Sequence, residues 1–144
     1  MSYKETINLP DTDLSMRAGL SDMEPELQAQ WREMDLYDRL KEAREGQPRY
    51  VLHDGPPYPT GDLHLGTGLN KILKDFFVRF HAMRGYQAPY VPGWDCHGLP
   101  IELQILQELG EEREEKSARE IRDLCREHAM NYVELQKDQF RSLG

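Results

Sequence analysis

The chain has 144 residues, enough for one domain with a modest core. Its formal net charge of −8, from 18 Lys and Arg against 26 Asp and Glu, argues against a main nucleic-acid surface. Two cysteines, Cys96 and Cys125, fit a reducing cytosol better than a disulfide framework, and no apolar run approaches the ~18–20 residues needed to span a membrane.

Residues 1–20 are mixed and polar, with Pro10 and Gly19 as breakers, and read as an arm packed on the body. Met1 to Leu14 carries no apolar segment behind basic residues, so no secretory signal is expected. Ser21-Asp22-Met23-Glu24 fits a capping box with Pro25 in the first turn. Leu27, Trp31, Met34 and Tyr37 then space one helix to about Ala43. Trp31 reads as a core anchor rather than a ligand contact.

Arg49 to His53 reads as a short strand, followed by the Pro- and Gly-dense run Asp54-Gly55-Pro56-Pro57-Tyr58-Pro59-Thr60-Gly61. The spacing predicts a helix over about 65–83, with Leu69, Ile72, Leu73, Phe76, Phe77 and Phe80 on one stripe. Lys71, Lys74, Asp75 and Arg79 fall mostly opposite, and Gly85 stands where a C-terminal glycine belongs. Tyr86 to Val91 reads as the next strand, weakened by Pro89. Strand, helix, strand implies a parallel βαβ unit, with loops 54–61 and 92–98 leaving strand ends toward one crevice. Pro100 opens a helix through Ile101, Ile105 and Leu109, and Gly110 stops it. Glu111 to Lys116 is a solvated charge run. Ser117-Ala118-Arg119-Glu120 is a second capping box, for a long helix carrying Ile121, Leu124, Cys125, His128, Tyr132 and Leu135.

Strand, glycine loop and helix together aim free N–H groups and a positive helix end at an anion, with His64 beside that end. The two best-known phosphate loops, G-x-G-x-x-G and G-x-x-x-x-G-K-[ST], are not present. On the residues alone, His64 is equally an ordinary capping residue of a core helix. Asp95 reads either as a turn-forming aspartate beside Trp94 or as a partner for an ammonium group. Cys96-His97, His53 and His64 lack metal-ligand spacing, so no metal site is expected.

Asp54 through Gly66, followed by Leu69-Asn70-Lys71-Ile72-Leu73-Lys74-Asp75, resembles the class I aminoacyl-tRNA synthetase signature in its isoleucyl form. Met83-Arg84-Gly85-Tyr86 and Pro92-Gly93-Trp94-Asp95-Cys96-His97-Gly98-Leu99-Pro100-Ile101-Glu102 are similar to the same enzymes, and set them apart from the valyl and leucyl relatives.

The resemblance implies an α/β fold: the N-terminal half of a doubly wound, Rossmann-like parallel sheet. Residues 1–46 would form a helical arm, and 47–144 the first half of the catalytic domain. It implies cytoplasmic activation of L-isoleucine by ATP with Mg²⁺, then transfer to tRNA(Ile). His64 and Thr67 would act in catalysis. Tyr58, Thr60, Gly61, His64, Gly66 and Thr67 would contact ATP, and Gly55, Pro56 and Asp95 the amino acid. Thr67 departs from the family's second signature histidine; a hydroxyl donates one hydrogen bond but carries no positive charge. The family's Lys-Met-Ser-Lys-Ser motif does not occur, so the missing C-terminal half of the enzyme is an expected partner. The alternative is a non-catalytic module binding ATP, an amino acid or a partner protein.

Overall fold

The computed structural model describes residues 3–8 and 19–144. They are mostly helical and divide into two compact units, Met1–Met34 and Asp35–Gly144. Residues 1–2 and 9–18, most of the stretch 1–20 read as an arm and Pro10 included, lie outside the described residues.

In the first unit, Tyr3–Thr6 forms a 3₁₀ turn and Leu20–Glu33 forms α1. Gly19 rather than Ser21 is the N-cap of α1, and no side-chain cap forms, so the first capping box is not realised. Trp31 is half-buried and α1 buries no residue fully, which corrects its reading as a core anchor. The predicted single helix to Ala43 is two. Asp35 adopts a left-handed conformation (φ 49°, ψ 46°), which ends the first helical run. A new helix, α2, covers Leu36–Ala43 in the second unit.

In the second unit α3 spans Leu65–Met83, α4 Leu99–Leu109 and α5 Ala118–Ser142. Gly85 (φ 94°) closes α3: its N–H donates to the Ala82 carbonyl at 3.0 Å, and Tyr86 N–H to the His81 carbonyl at 3.1 Å. Pro100 lies in the first turn of α4 and Gly110 caps its end. The charge run is a 3₁₀ turn, Gly110–Glu115, rather than an open loop. The Ser117–Glu120 capping box forms in full: Glu120 N–H donates to Ser117 Oγ at 3.3 Å, and Ser117 N–H to the Glu120 carboxylate at 2.8 Å. Ile101 and Ile105 of α4, with Ala129 of α5, form a small buried core.

The parallel sheet does not form among the described residues, which carry no strand. The segments flanking α3 meet at one parallel bridge, Arg49 with Gln87. Gln87 N–H donates to the Pro48 carbonyl and Tyr50 N–H to the Gln87 carbonyl, each at 3.0 Å. The next rung would need an N–H at residue 89 directed at the Tyr50 carbonyl, and Pro89 has none. One rung is therefore all that this pair sustains.

The burial of α3 is also inverted. Leu69, Ile72, Leu73, Phe76, Phe77 and Phe80 are all exposed, whereas Lys71 is only 6% exposed and Val78 7%. Asp54 explains the lysine: its carboxylate accepts from the ammonium groups of both Lys71 and Lys74. Burial works against the Asp54 charge, but hydrogen bonds and attraction from the two lysines outweigh it and hold its pKa below the usual carboxylate value. The Tyr90 hydroxyl donates to the same carboxylate at 3.2 Å. Burial, then the Asp54 charge, raises the Tyr90 pKa and keeps that donor protonated. Tyr37 of α2 pins Tyr90 from the other side, bonding its backbone N–H at 3.1 Å and its carbonyl at 3.2 Å.

Candidate functional site

Three prolines, Pro56, Pro57 and Pro59, deny the run after Asp54 the N–H groups that a helix or ladder would use. The loop therefore hangs on tethers from elsewhere. Asp54 is braced to α3 at one end, and Pro59 is fully buried in the middle. Gln136 of α5 donates to the carbonyls of Tyr58 at 3.2 Å and Gly61 at 2.8 Å. One turn on, Gln139 accepts the Leu63 N–H at 2.9 Å and donates to Asp62 at 2.6 Å.

His64 follows, with extended backbone, as the N-cap of α3. Its Nδ1 accepts the Thr67 N–H at 3.1 Å. In the neutral ring the proton then sits on Nε2, which lies 2.9 Å from Thr67 Oγ1 and donates to it. Both ring nitrogens are thus engaged by Thr67, and the bond at Nδ1 is the helix cap that one alternative in the sequence allowed. Gly66 lies against the ring, close enough that a Cβ there would meet Cε1 at 3.0 Å.

The second loop joins the first through its backbone. Asp95 N–H donates to the Pro57 carbonyl at 2.9 Å. The Asp95 carboxylate accepts the His97 N–H at 3.3 Å, the turn-forming role foreseen as one alternative. Trp94 donates its indole N–H to Gln136 Oε1 at 2.9 Å and packs against Phe140 at 5.9 Å between ring centroids.

Between the loop and the two helices lies a cavity of about 330 Å³. Tyr58, Thr60, Gly61, His64, Thr67 and Gln136 are among its lining residues, whereas Gly55, Pro56, Gly66 and Asp95 are not. That volume suits a small polar ligand or part of a larger one. Five of the six residues expected at ATP therefore face one space, with the positive end of α3 beside it. Gly66 sits behind His64 instead. Among the described residues no three His, Cys, Asp or Glu side chains could hold a metal ion together, and no helix is long and apolar enough to cross a membrane.

Sequence reasoning missed Gln136, Gln139 and the Asp54 brace. A glutamine three residues from another on a helix carries no local sign of burial; only its distant partners reveal it.

A family model for class I tRNA synthetases (I, L, M and V) matches residues 26–144. The chain belongs to that family. This class I synthetase chain is 56% identical over all 144 residues to proteins named isoleucine--tRNA ligase from Fervidobacterium nodosum and Kosmotoga olearia. It is 51% identical over the same length to the one from Desulfitobacterium hafniense. In each case it spans 16% of the relative's length.

Proposed function

We propose that this chain supplies the nucleotide and amino-acid loops of an isoleucine--tRNA ligase. In this reading ATP lies in the cavity beside the start of α3, with Tyr58, Thr60, Gly61, His64 and Thr67 around it and Gly66 behind the His64 ring. Isoleucine lies by the neighbouring loop, its side chain on Gly55 and Pro56 and its ammonium group on Asp95. The observation that carries this is the junction of the two loops, through Asp95 N–H and the Pro57 carbonyl at 2.9 Å, beside a cavity lined by His64.

Adenylate formation brings the isoleucine carboxylate to the α-phosphate of ATP. Two anions must be held together while charge builds on the phosphoryl oxygens, so positioning and electrostatics dominate. The first turn of α3 supplies unpaired N–H groups and a positive dipole end. His64 supplies a ring N–H once it turns from Thr67. One Asp95 oxygen holds its own turn, and the other is available to an ammonium group. Mg²⁺ enters with ATP.

Residues 1–46 act as an N-terminal arm and 47–144 as the first half of the catalytic domain. In this reading the chain is part of a longer, cytoplasmic enzyme that carries the tRNA(Ile) surface and completes a parallel sheet, of which the isolated Arg49–Gln87 bridge has the sense.

Titration calorimetry of the chain with ATP and Mg²⁺ tests this reading. A saturable heat that His64→Ala abolishes is expected, and no ATP binding overturns the reading. Isoleucine-dependent pyrophosphate exchange is expected only when the chain is joined to the remaining segments of a relative.

A further inference from the structure

Glutamine on a helix usually faces water, yet Gln136 is 3% exposed. Its single amide satisfies three groups on two loops. Oε1 accepts the Trp94 indole N–H at 2.9 Å, and Nε2 donates to the Gly61 carbonyl at 2.8 Å and the Tyr58 carbonyl at 3.2 Å. Gly61 and Tyr58 line the cavity; Trp94 precedes Asp95. Gln139, one turn on, holds Leu63 and Asp62 of the first loop only.

We propose that Gln136 is a positioning residue that couples the nucleotide loop to the Trp94–Asp95 loop, so that both halves of the site take their places together. The assignment of those loops to ATP and isoleucine rests on the function proposed above; the coupling itself rests on the hydrogen bonds. An amide is required because it accepts on one side and donates on the other. A carboxylate of the same shape keeps the acceptor for Trp94 and has no donor for the two carbonyls. It therefore separates loop holding from Trp94 holding.

Gln136→Glu and Gln139→Ala test this in the 144-residue chain by ¹H–¹⁵N NMR and amide exchange at neutral pH. In Gln136→Glu the Trp94 indole N–H stays bonded. Exchange at the Asp95 amide, on the loop still tied to residue 136, rises on the order of tenfold because Pro57 has moved. In Gln139→Ala the Trp94 indole resonance shifts, although Gln139 does not bond to Trp94. Unchanged Asp95 exchange in the first variant overturns the coupling. If that variant fails to fold, an unshifted Trp94 resonance in Gln139→Ala overturns it. ATP titration of the wild type is a separate readout: no binding there overturns the proposed function and leaves the loop coupling to be judged by exchange alone.

Discussion

The imidazole of His64 occupies the space that a side chain on Gly66 would need: a Cβ there would stand 3.0 Å from Cε1 and 3.1 Å from Nδ1. Gly66→Ala should push the ring off the Thr67 N–H and remove the cap of α3. Loss of an N-cap typically costs ~0.5–2 kcal/mol. Urea unfolding should show that loss, and the His64 ring resonances should shift. Unchanged ring resonances would mean that the methyl is absorbed elsewhere.

Asp54→Asn removes the only carboxylate among the described residues that pairs Lys71 and Lys74. Lys74, about a quarter exposed, can turn to water, but the Lys71 side chain is 7% exposed and stays trapped. Removing one partner of such a buried pair usually costs about 3–5 kcal/mol. A drop of that order in unfolding free energy is expected by urea titration, with Lys71→Met in the same background recovering part of it.

The same brace sets the acid limit of the fold. The Asp54 pKa is lower in the folded chain than its ordinary 3.8, so its stabilisation is complete above that value. It is lost as pH falls from there through the folded pKa. Urea midpoints should therefore decline below about pH 4, and Asp54→Asn should flatten that part of the profile. An equally steep profile in the variant would assign the decline to other carboxylates.

Thr67 lends its hydroxyl to His64 and no positive charge to a phosphate. In a full-length enzyme containing this segment, Thr67→His should speed pyrophosphate exchange. The upper limit is the ~10²–10³ that one transition-state donor typically contributes. No gain would mean that another group already fills that role.

The outward face of α3 carries Phe76 and Phe77, both about 60% exposed. An apolar strip of this kind binds hydrophobic dyes. Phe76→Lys with Phe77→Lys should cut dye fluorescence to less than about half. Exposed positions generally change stability by under ~0.5 kcal/mol, so the fold should hold.

What the sequence disclosed was what local signals govern. The ends of α3, the Ser117 box and the glycines closing α3 and α4 each depend on a few adjacent residues, and each formed where expected. The strands failed because a ladder depends on both partners, and Pro89 withholds the one N–H that would extend it. The break at Asp35 was not recognised in the apolar spacing, although Leu36 and Leu40 lie off the stripe of the preceding helix. The α3 stripe had the right period, but among the described residues the buried side went to Lys71, because Asp54, 17 residues earlier, neutralises it. The Pro/Gly loop, His64 and Asp95 were recognisable by motif. Gln136, 75 residues beyond Gly61, was not.

That last separation bears on how the protein is made. Gly61 leaves the ribosome 75 residues ahead of the glutamine that ties it down. At 5–20 residues per second the loop waits roughly 4–15 s without that tie. During vectorial synthesis α3 can be wound long before the loop beside it is fastened, and the nascent loop gains its tie only when α5 emerges.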